Sequence, residues 1–201
     1  MKERPILFSG PMVRALLDGS KTQTRRVVKP RKDANFGCML MPRELAGEIN
    51  QGEYSNCPYG QPGDRLWVRE SLFLSTETNR HHYSATGIAL PGVDYEAEPP
   101  PAIGLPARSI PSIHMPRWAS RITLEIVSVR VERLQDISEA DAIAEGVTDT
   151  GAIILGRMAE DVTGPIAEYA VLWESINGPG SWDANPWVWV VEFKRVQGGA
   201  A

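Results

Sequence analysis

The order of elements predicts a small α+β barrel built as one domain. Strands and helices follow one another without the strand-helix-strand regularity of a nucleotide-binding sheet, and no segment repeats. The last strand, "WVWVVEFKRV", is apolar on both faces, as a central strand must be. A chain of 201 residues with 42% hydrophobic and 23% charged residues is ordinary for one domain with an adequate core.

Taken in order, "RPILFSG" predicts a short buried strand from Ile6 to Phe8. Ser9 and Gly10 then offer a cap, Pro11 suits the first helical position, and "PMVRALLDG" forms an amphipathic helix closed by Gly19. "TQTRRVV" has the β-branched content of a strand from about Thr22 to Val28. Residues 30–60 carry Pro, Gly, Asn and both cysteines with little periodicity and are expected to be a long loop. A turn at Pro62–Gly63–Asp64 leads into a strand from Arg65 to Glu70. The proline-rich stretch 75–111 is expected to be a lid or a surface excursion. "RITLEIVSVRVERL" alternates most cleanly of all and is a strand. In "DISEADAIAEGV", Ser138 and Asp141 stand at capping-box spacing and Gly146 ends a short helix. A further helix, about Pro165 to Ser175, and the loop "NGPGSWDANP" precede the final strand.

The net charge of −4 argues against wholesale coating of nucleic acid, but the charge is unevenly placed. Residues 2–32 hold nine Lys/Arg and two acids, whereas 132–174 hold ten acids and two Arg. Cys38 and Cys57 lack a CxxC pairing, and with His81, His82 or His114 they match no zinc spacing. No metal or cofactor is therefore expected, and the cysteines are expected to be free. No apolar run reaches membrane-span length and the start lacks a signal-peptide pattern, so a cytoplasmic chain with no membrane partner is expected.

The densest chemistry lies in "GSKTQTRR". Lys21, Arg25, Arg26 and Lys29 could grip phosphate, or form a solvated basic face, but a single glycine before the lysine gives no P-loop cradle. A catalytic use of Lys21 and Thr24 needs them to converge, although strand alternation sends them to opposite faces. They meet only if Lys21 still belongs to the turn after Gly19. A neutral lysine could then activate the threonine hydroxyl, its pKa lowered by burial or by Arg25 and Arg26.

Gly19, Lys21, Thr24 and Arg26 fill the motif Gly-x-Lys-x-x-(Glu/Thr)-x-Arg, which resembles the opening of ASCH domains, relatives of PUA RNA-binding domains. "PGDRLWVRE" (62–70) and "LQDISEADAIAEGV" (134–147) are similar to two further blocks of that superfamily. The threonine variant resembles bacterial N4-acetylcytidine amidohydrolases, and the length resembles larger ASCH proteins of phage and prophage origin. The resemblance implies an α+β fold, a PUA-like ASCH β-barrel with flanking helices. It also implies two long loop insertions, about 31–60 and 75–115, within a single domain over 1–201. It further implies a metal-independent hydrolysis of N4-acylated cytosine nucleosides to cytidine and a carboxylic acid. Thr24 would be nucleophile, Lys21 base, Glu145 proton donor to the leaving amine, and Arg26 a stabiliser of either the oxyanion or the site's charges. The alternatives are an RNA-binding module and a ribonuclease.

Glu145 falls in the last turn of its helix, where helix carbonyls disfavour an anion; it is either an exposed Glu tolerating a small penalty or, as the resemblance favours, a carboxylate that shuttles protons. Glu70 is a rival acid that could orient Lys21 or Arg26. Trp182, a large ring in a Gly/Pro/Asn loop, is expected to stack on a pyrimidine, and Trp118, beside His114 and Arg117, to line the same pocket.

Overall fold

The computed structural model describes residues 1–75, 81–84, 107–147 and 164–196. In chain order the elements are β1 (Glu3–Leu7), α1 (Gly10–Asp18), β2 (Gln23–Val27), β3 (Arg31–Lys32), β4 (Met39–Leu40) and α2 (Pro42–Asn50). There follow β5 (Arg65–Arg69), β6 (Leu72–Ser75), β7 (His81–Ser84), β8 (Ala107–Ile110) and β9 (Thr123–Arg133). The last are α3 (Glu139–Ala144), α4 (Pro165–Asn177) and β10 (Trp187–Val196).

A five-stranded sheet in the order β1-β5-β9-β10-β2 organises the chain. β1 runs parallel to β5, and the other neighbours are antiparallel. β10 lies between β9 and β2, which explains its apolar pattern: Val188 and Val190 face one layer, Trp189, Val191 and Phe193 the other. The first layer packs on α3 and α4 residues such as Ala142, Tyr169 and Trp173. The second packs on Val13 and Leu16 of α1 and on Leu45 and Ile49 of α2.

The expected ASCH-like barrel is not formed. β1 and β2 are the two edges of an open mixed sheet, and no backbone ladder joins them. The physical reason lies at that seam. Arg26 of β2 donates from Nη2 to the Leu7 carbonyl of β1 at 2.8 Å, so a long side chain spans where backbone bonds would have closed the ring. The Phe8 ring, 5.3 Å from the Arg26 guanidinium, packs into the same opening.

The stretch 31–60 is also not the long loop expected. It holds the β3–β4 hairpin and α2, whose Leu45, Ala46 and Ile49 are buried. Helix α2 is capped by Met41, a poor capping residue by type, and relies on Pro42 and on Glu44 Oε2 accepting from the Met41 amide at 2.7 Å. Of the second insertion, β7 and β8 flank β6 in a separate three-stranded sheet. The lid expected over 75–111 falls mostly outside the described residues. Among the described residues no helix is long and apolar enough to cross a membrane.

Candidate functional site

Gly19, at φ +86°, ends α1 in the left-handed region and turns the chain back on itself. The Lys21 amide then bonds the Ala15 carbonyl at 3.0 Å and the Thr22 amide the Ala144 carbonyl at 2.8 Å. Lys21 and Glu145 form an isolated antiparallel bridge, so Lys21 lies ahead of β2 and outside its alternation. Gly146, also at φ +86°, lets the chain leave α3 with the Cβ atoms of Ala15 and Lys21 only 3.2 Å from where its own Cβ would stand.

This closeness buries an ion pair. Lys21 Nζ donates to Glu145 Oε2 at 2.8 Å and to the Glu145 carbonyl at 2.8 Å, with side chains 0% and 3% exposed. Burial pushes the Lys21 ammonium below its ordinary pKa, Glu145 opposes that fall, and Arg26 and Arg25 add to it. The second oxygen of Glu145 faces Arg25 Nη1 at 3.4 Å. Arg25 in turn meets Glu132 at 2.6 Å and Asp141 at 3.3 Å. Arg130 extends the network, reaching Glu132 at 2.9 Å, Asp141 at 3.0 Å and also Glu192. Half of the basic cluster is thus consumed internally, since Lys21 and Arg25 are each 2% exposed. They are neither a solvated face nor a free phosphate grip.

The β2–β10 register separates the remaining residues. Thr24 pairs with Val191 and Arg26 with Trp189, on the α1 side; Gln23 and Arg25 face α3 and α4. Thr24 is fully buried and its Oγ1 has no hydrogen-bond partner among the described residues. No hydrogen bond joins it to Lys21, whose ammonium is held by Glu145.

The seam between β1 and β2 opens into a cavity of about 370 Å³. Its walls include Phe8 and Met12 from the α1 side, Arg25 and Arg26 from β2, Glu145, and Tyr169, Trp173 and Ile176 from α4. The Arg25 guanidinium lies 6.0 Å from the Tyr169 ring. Burial, and after it the Glu145 carboxylate, pushes the Tyr169 phenol well above its ordinary range. Lys21 and Thr24 do not line this cavity.

The structure therefore brings Lys21, Glu145 and Arg26 to one neighbourhood and leaves the other expected residues elsewhere. Glu70 is buried and paired with Arg121 at 2.8 and 3.0 Å, so it orients neither Lys21 nor Arg26. Trp182 packs edge-on against Tyr169 at 6.3 Å and lines a different cavity with Ile166, Ala170 and Glu174. Trp118 is 59% exposed in a 3-10 turn, outside both linings. Cys38 is exposed, Cys57 is buried, and both are free. Among the described residues no three His, Cys, Asp or Glu side chains converge as metal ligands would.

Tyr169 and Trp173 were not singled out by sequence, although their spacing of four on a helix puts them on one face. Arg25, the hub of the carboxylates, is adjacent to a motif position but not part of it.

No protein-family model matches the chain, and no curated protein matches it. Among solved structures it is similar to the high-resolution crystal structure of an ASCH domain from Lactobacillus crispatus JV V101, at 11% identity and a TM-score of 0.44. That match covers 96% of this chain and 79% of the other. That resemblance is weak and partial.

Proposed function

We propose that the cavity at the β1–β2 seam takes an unpaired base of single-stranded RNA, and that the chain is an RNA-binding module. The observation behind this reading is the composition of the cavity wall. Phe8, Tyr169 and Trp173 are among its lining residues and Arg26 adds a cation, while Lys21 and Thr24 are buried and outside the lining. Single-stranded bases are held by stacking on rings and by nearby arginines, at about 1–3 kcal/mol per base. Exposed Lys29 and Lys32 follow Arg26 in the chain and can reach the backbone of a strand.

Fluorescence anisotropy with short single-stranded RNA tests this. Ile176 lines the cavity and is 56% exposed, so Ile176→Glu places an anion at the cavity without disturbing the core. Affinity should drop at least about ten-fold and should weaken steeply with salt. RNA affinity that ignores Ile176→Glu would count against the cavity.

A second reading, hydrolysis of an N4-acylated cytosine, is favoured by two features. Lys21 is buried with a lowered pKa, and the Thr24 hydroxyl is buried without a partner. With Lys21 in its neutral form, Thr24 Oγ1 would attack the acyl carbon and lose its proton to Lys21. Glu145 would relay that proton from Lys21 to the departing amine, Arg26 would steady the oxyanion, and water would then hydrolyse the acyl-threonine, releasing the carboxylic acid and restoring the hydroxyl. Ligand entry must first uncover Thr24. Loss of N4-acetylcytidine absorbance by the wild type, absent in Thr24→Val, would establish this reading, and an unchanged spectrum would remove it.

A further inference from the structure

The β3–β4 hairpin carries the most exposed large apolar side chain among the described residues. Phe36 is 86% exposed, and Met39 and Met41 follow it at 60% and 53%. The turn does not leave that ring loose. Asp33 Oδ1 accepts from the amides of Asn35 and Phe36, both at 2.6 Å, and Asp33 Oδ2 accepts from Asn56 Nδ2 at 3.1 Å. Asn56, itself buried, also accepts from the Ala34 amide at 2.9 Å. A buried side chain from beyond α2 thus holds the turn in one shape, and that shape presents Phe36 to solvent. Residues 29–44 add four Lys/Arg against two acids. Both acids are engaged, Asp33 by the turn and Glu44 by the Met41 amide.

The opposite chemistry lies on α3 and α4. Residues 134–147 and 164–186 hold seven acids and no Lys, Arg or His. Here a second cavity, of about 550 Å³, is lined by Ile166, Ala170 and Trp182 and by the acids Glu139, Glu174 and Asp183. These three acids join no ion pair among the described residues. Helix α4 is apolar on every side, as a fully buried helix is. Tyr169 and Trp173 are buried, yet Ile166 and Ala170 on the groove side are only half-buried.

Hairpin and groove cannot meet within one molecule. Leu40 of the hairpin packs with α1 and α2 in one layer of the core, whereas Ile166 and Trp182 pack in the other. Contact between them needs a second copy. We propose that the β3–β4 tip of one copy seats in the α3–α4 groove of the next. Phe36 meets the apolar lining, and exposed Lys32 and Arg43 meet Glu139, Glu174 and Asp183. Apolar surface covers apolar surface and cations face acids. Because tip and groove are different patches, the assembly extends head to tail or closes as a ring.

Sedimentation velocity on the full chain, up to millimolar concentration, tests this, since a one-hairpin contact belongs with small, transient interfaces. The proposal does not rest on the base-binding reading, and no RNA is present. The mass of the wild type should rise with concentration and fall with salt. Phe36→Ser, at an exposed position, should weaken association about ten- to a hundred-fold. Ala170→Arg adds a cation to the groove lining, and Asp183→Lys reverses a charge at an exposed position. Each should weaken association likewise, with circular dichroism checking that every variant is folded. Mixing decides the geometry. Phe36→Ser keeps its groove and Asp183→Lys keeps its tip, so together they should form a one-to-one heterodimer although neither associates alone. Absence of that heterodimer would overturn the contact. So would association lost in Phe36→Ser but intact in both groove variants, which would mean tip-to-tip pairing. A wild type that stays monomeric throughout would overturn self-association and leave the groove to a different basic partner.

Discussion

Replacing Glu145 by Gln removes one charge from a buried pair and keeps its shape. Lys21 Nζ loses a carboxylate at 2.8 Å, and Arg25 loses one at 3.4 Å. Breaking a buried pair by removing one partner costs about 3–5 kcal/mol. The lower end applies here, because Lys21 keeps the Glu145 carbonyl at 2.8 Å and Arg25 keeps Glu132 at 2.6 Å. A loss of about 3 kcal/mol is a large share of the 5–15 kcal/mol typical of a folded protein. Urea denaturation at pH 7 measures it. The pH dependence has a definite sign. Lys21 has a folded pKa below its ordinary 10.5, and without Glu145 the group that holds it up is gone. Between the folded value and 10.5 the unfolded chain binds a proton that the folded chain does not, so stability rises with pH there. Removing Glu145 lowers the folded value further, so the deficit of Glu145→Gln should shrink as pH rises from the variant's folded pKa to the wild-type one and stay level above it, and adding Lys21→Met should recover much of it at pH 7. A deficit below about 1 kcal/mol, not relieved by Lys21→Met, would refute the reasoning.

Two other substitutions probe the supports of the site. Gly146→Ala must adopt φ +86° with its Cβ 3.2 Å from those of Ala15 and Lys21, and thermal unfolding should show a loss of about 1–2 kcal/mol or more. Asp64 accepts from the Lys2 amide at 2.7 Å and from Arg4 at 3.2 Å. Burial raises its pKa, but these bonds together outweigh burial and hold it below the ordinary carboxylate value. Its stabilisation is present above the unfolded pKa and is lost as pH falls through the folded one, so Asp64→Asn should flatten the acid limb of the stability profile.

Much of the fold was legible because local patterns and tertiary demands agree. The double-sided apolar run of β10 reports its place inside the sheet, and Gly19 and Gly146 report the turns that bring Lys21 to Glu145. Closure of the sheet was not legible, because it depends on whether β1 and β2 meet through backbone or through the Arg26 side chain, which alternation does not encode. Helix α2 was hidden by its start at Met41, where no Ser, Thr, Asp or Asn marks a cap. For the site, the turn after Gly19 was read as bringing Lys21 to Thr24, and Glu145 entered through the resemblance; the bridge between Lys21 and Glu145 joins residues 124 apart in sequence. The sealing of Thr24 was not legible either, because burial by β10 and the α1 layer is a long-range fact. Glu70 misled because its partner, Arg121, is fifty-one residues away in sequence.

Photocrosslinking of single-stranded RNA, followed by mass spectrometric mapping, tests the placement of the ligand most directly. Two exposed aromatics compete with the cavity as stacking sites: Phe36, 86% exposed in the β3–β4 turn, and Trp118, 59% exposed. The cavity reading predicts crosslinks on Phe8 and on α4 at Tyr169 and Trp173, lost in Ile176→Glu. Crosslinks confined to Phe36 or Trp118, unchanged by that substitution, would contradict it.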